Sequence, residues 1–431
     1  MAVTERAWRA RYAALRVAET LSDLRGNAAG PVLGDTPPPR QPAWWAFVST
    51  IGELHSTAPL LAAVQARLPG QRMVLVTDHE HYVPSYRARF PEADVVHTRG
   101  HSRDAKRLAG WRPPALVVVA EIPLLPGDAP CRCSAALLLE ARAAGARLVA
   151  VNGWLYGDTP PSRMDRLERR LLGPALLGQY DTICVQAEAQ RNTLVAHGAA
   201  PDRTHVVGNL KLDALRSAAP LPAQPGAALL RAVAAAGRPV VVAGSLTRQD
   251  EESLLLDAFV ELRRQRPGAL LVVAPRHPEV VSNLERLDGA LARRGLQASR
   301  RSALREGLPA EGFDVLVLDT IGELRGCYAD ADVAHVGVDH NVLEPLLFGK
   351  PTTVSGRWCR DYPSYPVFRR LSDAGALQHA ADAGALARAW DEAIAGRLAG
   401  LVEAARRELG AEPSSLERHL AALEPVLSRL A

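Results

Sequence analysis

The chain has 431 residues, of which 48% are hydrophobic and 23% are charged. That length exceeds one compact domain of ordinary size, and that composition excludes a largely disordered protein. The formal net charge is only +4, too small a bias to indicate a nucleic-acid-binding protein. We expect no signal peptide and no transmembrane segment, because no stretch approaches the roughly 20 consecutive apolar residues of a spanning helix.

The first 26 residues predict an amphipathic helix with Trp8, Tyr12, Leu15, Leu21 and Leu24 near helical spacing. Four arginines, Arg6, Arg9, Arg11 and Arg16, surround these apolar residues. The favoured interpretation is a helix packed on its own domain. The alternative is a helix lying on the inner face of a membrane as a peripheral contact. A loop rich in glycine and proline follows, up to about residue 42.

The cysteines do not suggest a disulfide framework, because their number is odd and most are isolated. They are Cys131, Cys133, Cys184, Cys327 and Cys359. The C-x-C pair is too closely spaced for a usual zinc site without a second pair. We therefore expect a reducing, cytoplasmic location.

Continuous apolar runs alternate with helical stretches along the rest of the chain, as in parallel sheets buried on both faces. The runs of the first half are 46–50, 73–77, 93–98, 115–120, 147–152 and 182–187. Those of the second half are 238–244, 269–275, 314–319, 333–337 and 351–355. Because the alternating pattern begins again in the second half, the sequence predicts an α/β protein with two doubly wound, Rossmann-like domains facing across a cleft. The expected domains are 1–208, in which 1–42 form the helix and loop, and 209–431, which ends in helices.

Ligands of doubly wound sheets bind beyond the carboxyl ends of the strands, so residues directly after each strand are the candidates. In the first domain, Glu53 follows the run 46–50, and a helix is expected near Ala58. Glu53 could act as a general base on a hydroxyl. Taken alone, this motif favours an acid that only complements the helix dipole.

The second domain offers strand-end groups suited to an anion. Ser245 follows a glycine before an acidic helix, whose N–H groups can hold an anion or simply be capped. Arg276, between Pro275 and Pro278, can bind a phosphate or carboxylate.

Two further turns of the second domain suit a nucleoside. The backbone amides of Thr320, Ile321, Gly322 and Glu323 could recognise a base or ribose, and Asn341 and Glu344 could bind ribose hydroxyls. His340 and Glu344 are four residues apart, but no further ligands complete a metal site.

These motifs, in order, resemble those of the 3-deoxy-D-manno-octulosonic acid (Kdo) transferases, a GT-B glycosyltransferase family. The matching segments are STIGE at 49–53, GNLKLD at 208–213, AGS at 243–245, APRHPE at 274–279, LDTIGEL at 318–324 and HNVLEPLLFGKP at 340–351. The resemblance implies a CMP-activated donor, an inverting transfer, no cofactor and no metal ion. It implies that Glu53 is the catalytic base. It also implies that Lys211 and Ser245 lie near the phosphate or sugar carboxylate, and that Arg276, Thr320, Ile321, Gly322, Asn341 and Glu344 hold CMP.

The chain departs from the family mostly in the first domain. The family's T-P-T-G segment is replaced by 77–82, its E-T-E-L-W-P by 121–126, and its N-A-R-L-S by 152–156. The first hypothesis is therefore a transferase of Kdo or a related ulosonic acid whose acceptor hydroxyl is not necessarily that of lipid A. The alternative is a transferase of specialised metabolism that uses another nucleotide sugar, such as a UDP-sugar, and a soluble acceptor. A catalytically idle binding protein is the third hypothesis, against which the retained Glu53 argues.

Overall fold

The computed structural model describes residues 5–23, 42–98, 102–121, 135–155, 163–216, 225–304, 312–411 and 413–430. The chain forms two compact units, residues 1–217 together with 414–431, and residues 218–413. This division differs from the expected domains, which assigned the whole of 209–431 to the second. Leu24, Cys131 and Cys133 lie outside the described residues.

The sheet of the first unit is parallel throughout, with the strand order β3-β2-β1-β4-β5-β6-β7. Its strands are β1 (Ala43–Phe47), β2 (Arg72–Thr77), β3 (Asp94–His97), β4 (Pro114–Ala120), β5 (Arg147–Gly153), β6 (Thr182–Val185) and β7 (Thr204–Val206). The helices of this part are α1 (Glu5–Asp23), α2 (Ile51–Arg67), α3 (Val83–Arg89), α4 (Ser102–Trp111), α5 (Ala135–Ala143), α6 (Arg163–Leu177), α7 (Glu188–Ala196) and α8 (Leu210–Arg216).

The second unit repeats this architecture with the strand order β10-β11-β9-β8-β12-β13-β14, again parallel. Its strands are β8 (Val240–Leu246), β9 (Leu270–Pro275), β10 (Ala298–Arg300), β11 (Val315–Val317), β12 (Val333–Val336), β13 (Thr352–Ser355) and β14 (Gln378–Ala380). Its helices are α9 (Pro225–Ala235), α10 (Gln249–Gln265), α11 (Val281–Ala292), α12 (Leu324–Ala329), α13 (Leu343–Leu347), α14 (Tyr365–Asp373), α15 (Ala383–Ile394) and α16 (Ala399–Ala411).

The last described helix, α17 (Ser415–Leu427), belongs to the first unit. Leu423, Val426 and Leu427 are buried in the same core cluster as side chains of β1 and α2. This burial is why the C-terminal segment joins the first sheet rather than the second.

The start of the first sheet differs from the expected elements. The first strand covers 43–47 instead of 46–50, because Trp44 and Trp45 are buried in it and their indole N–H groups bond to Gln65 Oε1 and Arg112 O, both at 2.9 Å. Helix α2 begins at Ile51 rather than near Ala58, because Thr50 caps it. Glu53 therefore lies in the first turn of that helix.

Helix α1 packs on the first unit, as the favoured interpretation expected. Trp8, Tyr12 and Leu15 are buried in the core, and the Tyr12 hydroxyl donates to Glu140 Oε1 at 2.8 Å. Leu21, which the spacing placed with them, is 60% exposed. Among the helices that the structure describes, none is long and apolar enough to cross a membrane.

Each sheet reverses its strand order beside its first strand. In the first unit β1 lies between β2 and β4, and in the second unit β8 lies between β9 and β12. Such a reversal leaves a crevice at the carboxyl ends of the central strands, where doubly wound sheets bind their ligands.

At the second reversal the backbones of β8 and of the turn after β12 approach closely. Gly337 donates its N–H to Gly244 O at 2.9 Å, and a Cβ on Gly337 would lie 2.3 Å from Ser245 O. The missing side chain at 337 is thus what allows this contact.

We expect Gly337→Ala to lower the free energy of unfolding by about 1–3 kcal/mol, because the new methyl group meets a backbone oxygen. Gly289→Ala is the matched control, since its Cβ would find only Arg293 Nη1 at 3.4 Å on helix α11. Alanine is the better helix former, so this control should be neutral or stabilising. Urea unfolding of both variants measures the difference, and equal midpoints would contradict the steric explanation.

Candidate active site

Strained backbone marks the carboxyl ends of the strands in both units. Among the described residues, five that are not glycine have a positive φ: Glu121, Asn152, Ser245, His277 and Asp339. They lie at or just after β4, β5, β8, β9 and β12. Such conformations cost free energy and are concentrated at functional sites.

Glu53 occupies the strand reversal of the first unit, at the start of α2. Its Oε2 accepts the N–H groups of Ser49 at 2.8 Å and Thr50 at 3.3 Å, and Thr50 Oγ1 accepts the N–H of Glu53 at 3.2 Å. This reciprocal cap fixes the carboxylate. Within the described residues, Oε1 accepts no hydrogen bond, so only one of the two carboxyl oxygens is held by the backbone.

A second carboxyl group, Glu121, lies at the end of the neighbouring strand β4. Burial raises the pKa of Glu53 well above its usual range, and the negative charge of Glu121 raises it further. The hydrogen bonds from Ser49 and Thr50 lower this pKa, but by less than the other two effects raise it. Burial also raises the pKa of Glu121, whereas Lys211 and Asn152 oppose this rise. The site therefore holds two interacting carboxyl groups, of which Glu121 has a cation as partner.

Asn152 connects this pair to the next strands. Its Nδ2 donates to Glu121 Oε2 at 3.3 Å and its Oδ1 accepts the N–H of Leu210 at 2.9 Å. Its carbonyl oxygen accepts from Gln186 Nε2 at 2.9 Å. These bonds join the ends of β4, β5 and β6 to the start of α8, which carries Lys211.

Helix α17 reaches the same network through His419. The N–H of Asn152 donates to His419 Nε2 at 3.0 Å, and His419 Nδ1 bonds to Ser415 O at 2.8 Å. The proton is therefore assigned to Nδ1, and the ring is neutral. Burial lowers the pKa of His419 to about 4.

In the second unit, Ser245, Pro275 and Arg276 meet at the ends of β8 and β9. Ser245 has φ 62°, and a Cβ on the preceding Gly244 would lie 2.0 Å from the Tyr328 hydroxyl. Pro275 is buried, and Arg276 donates its N–H to Leu246 O at 2.8 Å while its side chain is exposed. The backbone is fixed, and the guanidinium group faces solvent.

The turn after β11 is held by the Glu323 side chain. Glu323 Oε1 accepts from the Thr320 hydroxyl at 2.8 Å, and Oε2 accepts from Gly226 N at 2.8 Å and Arg301 Nε at 3.0 Å. The carboxylate thus serves the protein's own donors. Ile321 is 67% exposed, and Gly322 has φ 95°.

Asn341 and Glu344 form a pair at the start of α13. Asn341 Nδ2 donates to Glu344 Oε1 at 3.3 Å, and Asn341 Oδ1 accepts the N–H of Leu343 at 3.1 Å. Burial raises the pKa of Tyr328, and the charge of Glu344 adds to this rise. Tyr328 thus connects this pair to Gly244 and Ser245.

Of the predicted donor-binding residues, Lys211 alone lies in the first unit. Lys211 was expected in the second domain, but α8 belongs to the first unit, where the charge of Lys211 acts on Glu121.

No group of three metal-ligating side chains occurs within the described ranges.

Comparison with known proteins extends these observations. A family model described as 3-deoxy-D-manno-octulosonic-acid transferase matches residues 134–214. A 3-deoxy-D-manno-octulosonic acid transferase of Bordetella pertussis is 33% identical over 273 residues, which cover 59% of this chain and 59% of that protein. Over these residues the chain is similar to the Kdo transferase family. A bifunctional glycosyltransferase/methyltransferase of Fusobacterium nucleatum is 24% identical over 327 residues, 74% of this chain and 47% of that protein.

The alignments span about half the length of these curated relatives. Among solved structures, a putative UDP-N-acetylglucosamine 2-epimerase of Listeria monocytogenes matches with a TM-score of 0.60 and 15% identity, over 90% of this chain and 97% of its own. This likeness concerns the fold alone and, with the two parallel sheets, confirms the predicted GT-B class.

Sequence reasoning missed Glu121 and His419 as members of this candidate site. Glu121 was noted only as the remnant of a longer family motif, although its position directly after an apolar run was a usable signal. No sequence pattern indicated that His419 belongs to the site, because it lies 267 residues from Asn152 along the chain.

We expect the acid sensitivity of the first unit to depend on His419. An unfolded histidine takes up a proton near pH 6.5, but the buried ring resists protonation down to about pH 4. The unfolded state thus binds more protons in this window, and stability falls as the pH falls, by roughly 3 kcal/mol in total.

His419→Gln keeps an acceptor for Asn152 but has no titrating group. Urea unfolding of both proteins between pH 7 and pH 4 measures the difference. The variant should lose less stability over this range, and parallel pH curves would contradict the prediction.

Proposed function

We propose that this protein is an inverting glycosyltransferase that transfers Kdo, or a related ulosonic acid, from a CMP-activated donor to an acceptor hydroxyl. The observation that carries the proposal is Glu53, a buried carboxyl group with one oxygen fixed by two N–H donors, at the strand reversal of the first sheet. It belongs to the segment 49–53 that resembles the family's A-S-x-G-E.

In the proposed reaction Glu53 accepts the proton of the acceptor hydroxyl. The acceptor oxygen then forms a bond to the anomeric carbon, while the bond from that carbon to the CMP phosphate breaks. CMP leaves with the electron pair, and attack opposite the leaving group inverts the configuration. A general base of this kind contributes about 10²–10⁴-fold to the rate.

The raised pKa of Glu53 supports this role, because a carboxylate with a higher pKa is a stronger base near neutral pH. Burial supplies most of the rise, and the charge of Glu121 adds to it. Lys211 favours the charged form of Glu121. We infer that Lys211 sustains the basicity of Glu53 through Glu121, in addition to the predicted role near the donor.

The second unit would bind the donor. Arg276 offers an exposed guanidinium group for a phosphate or carboxylate, and Asn341 with Glu344 offers hydrogen bonds for ribose hydroxyls. The remaining groups proposed for the donor are Ser245, Pro275 and the backbone of Thr320, Ile321, Gly322 and Glu323. For Glu323 this role is confined to the backbone, because its carboxylate is already used.

A transferase that uses a UDP-sugar and a soluble acceptor is the second candidate function. The departures from the family at 77–82 and 152–156 favour it, because they lie in the unit that carries the base rather than in the donor motifs.

We further propose a cytoplasmic protein with a peripheral membrane contact through α1. Val17 and Leu21, four residues apart on that helix, are 61% and 60% exposed. A side-by-side apolar pair of this kind suits the boundary between lipid headgroups and acyl chains.

Calorimetry with CMP and UDP tests the proposed donor. We expect CMP to bind more tightly than UDP, and mass spectrometry with a panel of nucleotide sugars should detect transfer or hydrolysis of the CMP-ulosonic acid alone. Preference for UDP would favour the second candidate.

In Glu53→Gln, the rate of transfer should fall at least 100-fold while the affinity for CMP stays unchanged. Near-normal turnover would show that Glu53 is not the base.

The pH dependence of kcat/KM tests the pairing of the two carboxyl groups. Glu53 must be deprotonated to act, so its raised pKa places the acidic limb of the profile above the usual carboxyl range. Glu121→Gln removes the charge that raises this pKa. The limb should therefore move to lower pH in the variant, and an unmoved limb would show that burial alone sets it.

A further inference from the structure

The segment after β2 contributes a second set of polar groups to the strand reversal of the first unit. Asp78 and His79 follow the strand directly, and a short 3₁₀ turn, Glu80–Tyr82, leads into α3. In this segment the sequence departs from the family's T-P-T-G motif. The role of Glu53 as base does not use these residues.

A chain of hydrogen bonds connects His79 to Glu53. His79 Nδ1 lies 2.9 Å from Asp78 Oδ1, and this oxygen also accepts from Ser49 Oγ at 2.7 Å. Ser49 in turn donates its N–H to Glu53 Oε2 at 2.8 Å. His79 and the carboxyl group at the start of α2 are thus held in one network that crosses from β2 to β1.

The buried Asp78 orients the imidazole ring. The Asp78 side chain is 2% exposed and the His79 side chain 32%. A carboxylate against Nδ1 assigns the proton of a neutral imidazole to Nδ1, which leaves the lone pair on Nε2. Because Nε2 lies across the ring from Nδ1, it points away from Asp78, and within the described residues it has no hydrogen-bond partner.

The neighbouring side chains restrict the ring further. Tyr82 stacks on it, with ring centroids 5.1 Å apart and planes inclined by 28°, and His81 lies edge-on at 5.6 Å. The backbone N–H of His79 donates to Thr77 Oγ1 at 3.2 Å. An imidazole fixed from several sides and partly exposed is suited to recognition, because little rotamer entropy is lost when it binds.

We propose, on the basis of the transferase function above, that His79 contacts the acceptor: its Nε2 accepts a hydrogen bond from a second hydroxyl of a sugar acceptor whose reacting hydroxyl faces Glu53. Asp78 is the positioning residue that fixes the tautomer. The proposed acceptor is therefore a sugar that presents at least two hydroxyl groups to this site, and this contact selects among such acceptors.

Binding of methyl glycosides tests the contact without requiring turnover. The probes are methyl glucoside, galactoside, mannoside and glucosaminide, titrated by saturation-transfer NMR into the full chain in the presence of CMP. Wild type should bind at least one of them. His79→Ala should bind that glycoside about tenfold more weakly, the usual loss for one hydrogen bond.

His197→Ala is the matched control, because it removes an exposed imidazole of the same unit that lies at the end of α7, with its Nδ1 2.8 Å from Thr193 O, and it should bind like wild type. Asp78→Asn should weaken binding less than His79→Ala, since the ring remains but its tautomer is released. Wild-type affinity in His79→Ala, equal losses in both histidine variants, or no glycoside bound by wild type would each overturn the assignment.

The same titrations separate this inference from the proposed function. CMP affinity should be identical in wild type and all three variants. If glycoside binding depends on His79 but CMP does not bind, the acceptor site stands and the CMP-dependent transfer fails. If CMP binds and His79→Ala retains the glycoside, the transfer stands and the role of His79 fails.

Discussion

The burial of Glu53 against two backbone N–H groups is the constraint on which the site of the first unit depends. A carboxyl group taken out of water must be neutral or well solvated by the protein, and here Ser49 and Thr50 provide part of that solvation. Glu121, placed on the adjacent strand, works in the opposite direction. The balance between these contributions turns an ordinary helix-capping residue into a group suited to proton transfer.

The two units meet the demands of their proposed ligands by different means. The first collects buried and half-buried side chains that act on one another through hydrogen bonds or charge, from Asp78 through Glu53 and Glu121 to Lys211. The second offers a fixed backbone, made possible by the close approach of Gly337 to Ser245, and an exposed cation, Arg276. Proton transfer needs a tuned, low-dielectric environment, whereas an anionic nucleotide needs donors that are already in place.

Much of the fold could be predicted from the sequence because most strands are continuous apolar runs. The structure adds edge strands of three residues, β7, β10 and β14, which are too short to leave a pattern. The early start of β1 was missed because two tryptophans precede the aliphatic run, and the early start of α2 because the helix was expected only from the apolar stretch that begins near Ala58.

The candidate site was predictable where it is local. Glu53, Arg276 and Asn341 follow strands in recognisable motifs. The charge interaction of Lys211 with Glu121, and the hydrogen bond of His419 with Asn152, join residues far apart in the chain. No local pattern encodes them, because they depend on which strands become neighbours and on the return of α17.

That return makes the second unit an insertion between two parts of the first. During synthesis, residues 218–413 emerge before α17, so the first unit cannot complete its core, or give Asn152 its partner His419, until the second has left the ribosome. The second unit has all its residues in one segment and can fold while the first is still incomplete. Completion of the carboxylate site therefore waits for a segment that is synthesised after the whole second unit.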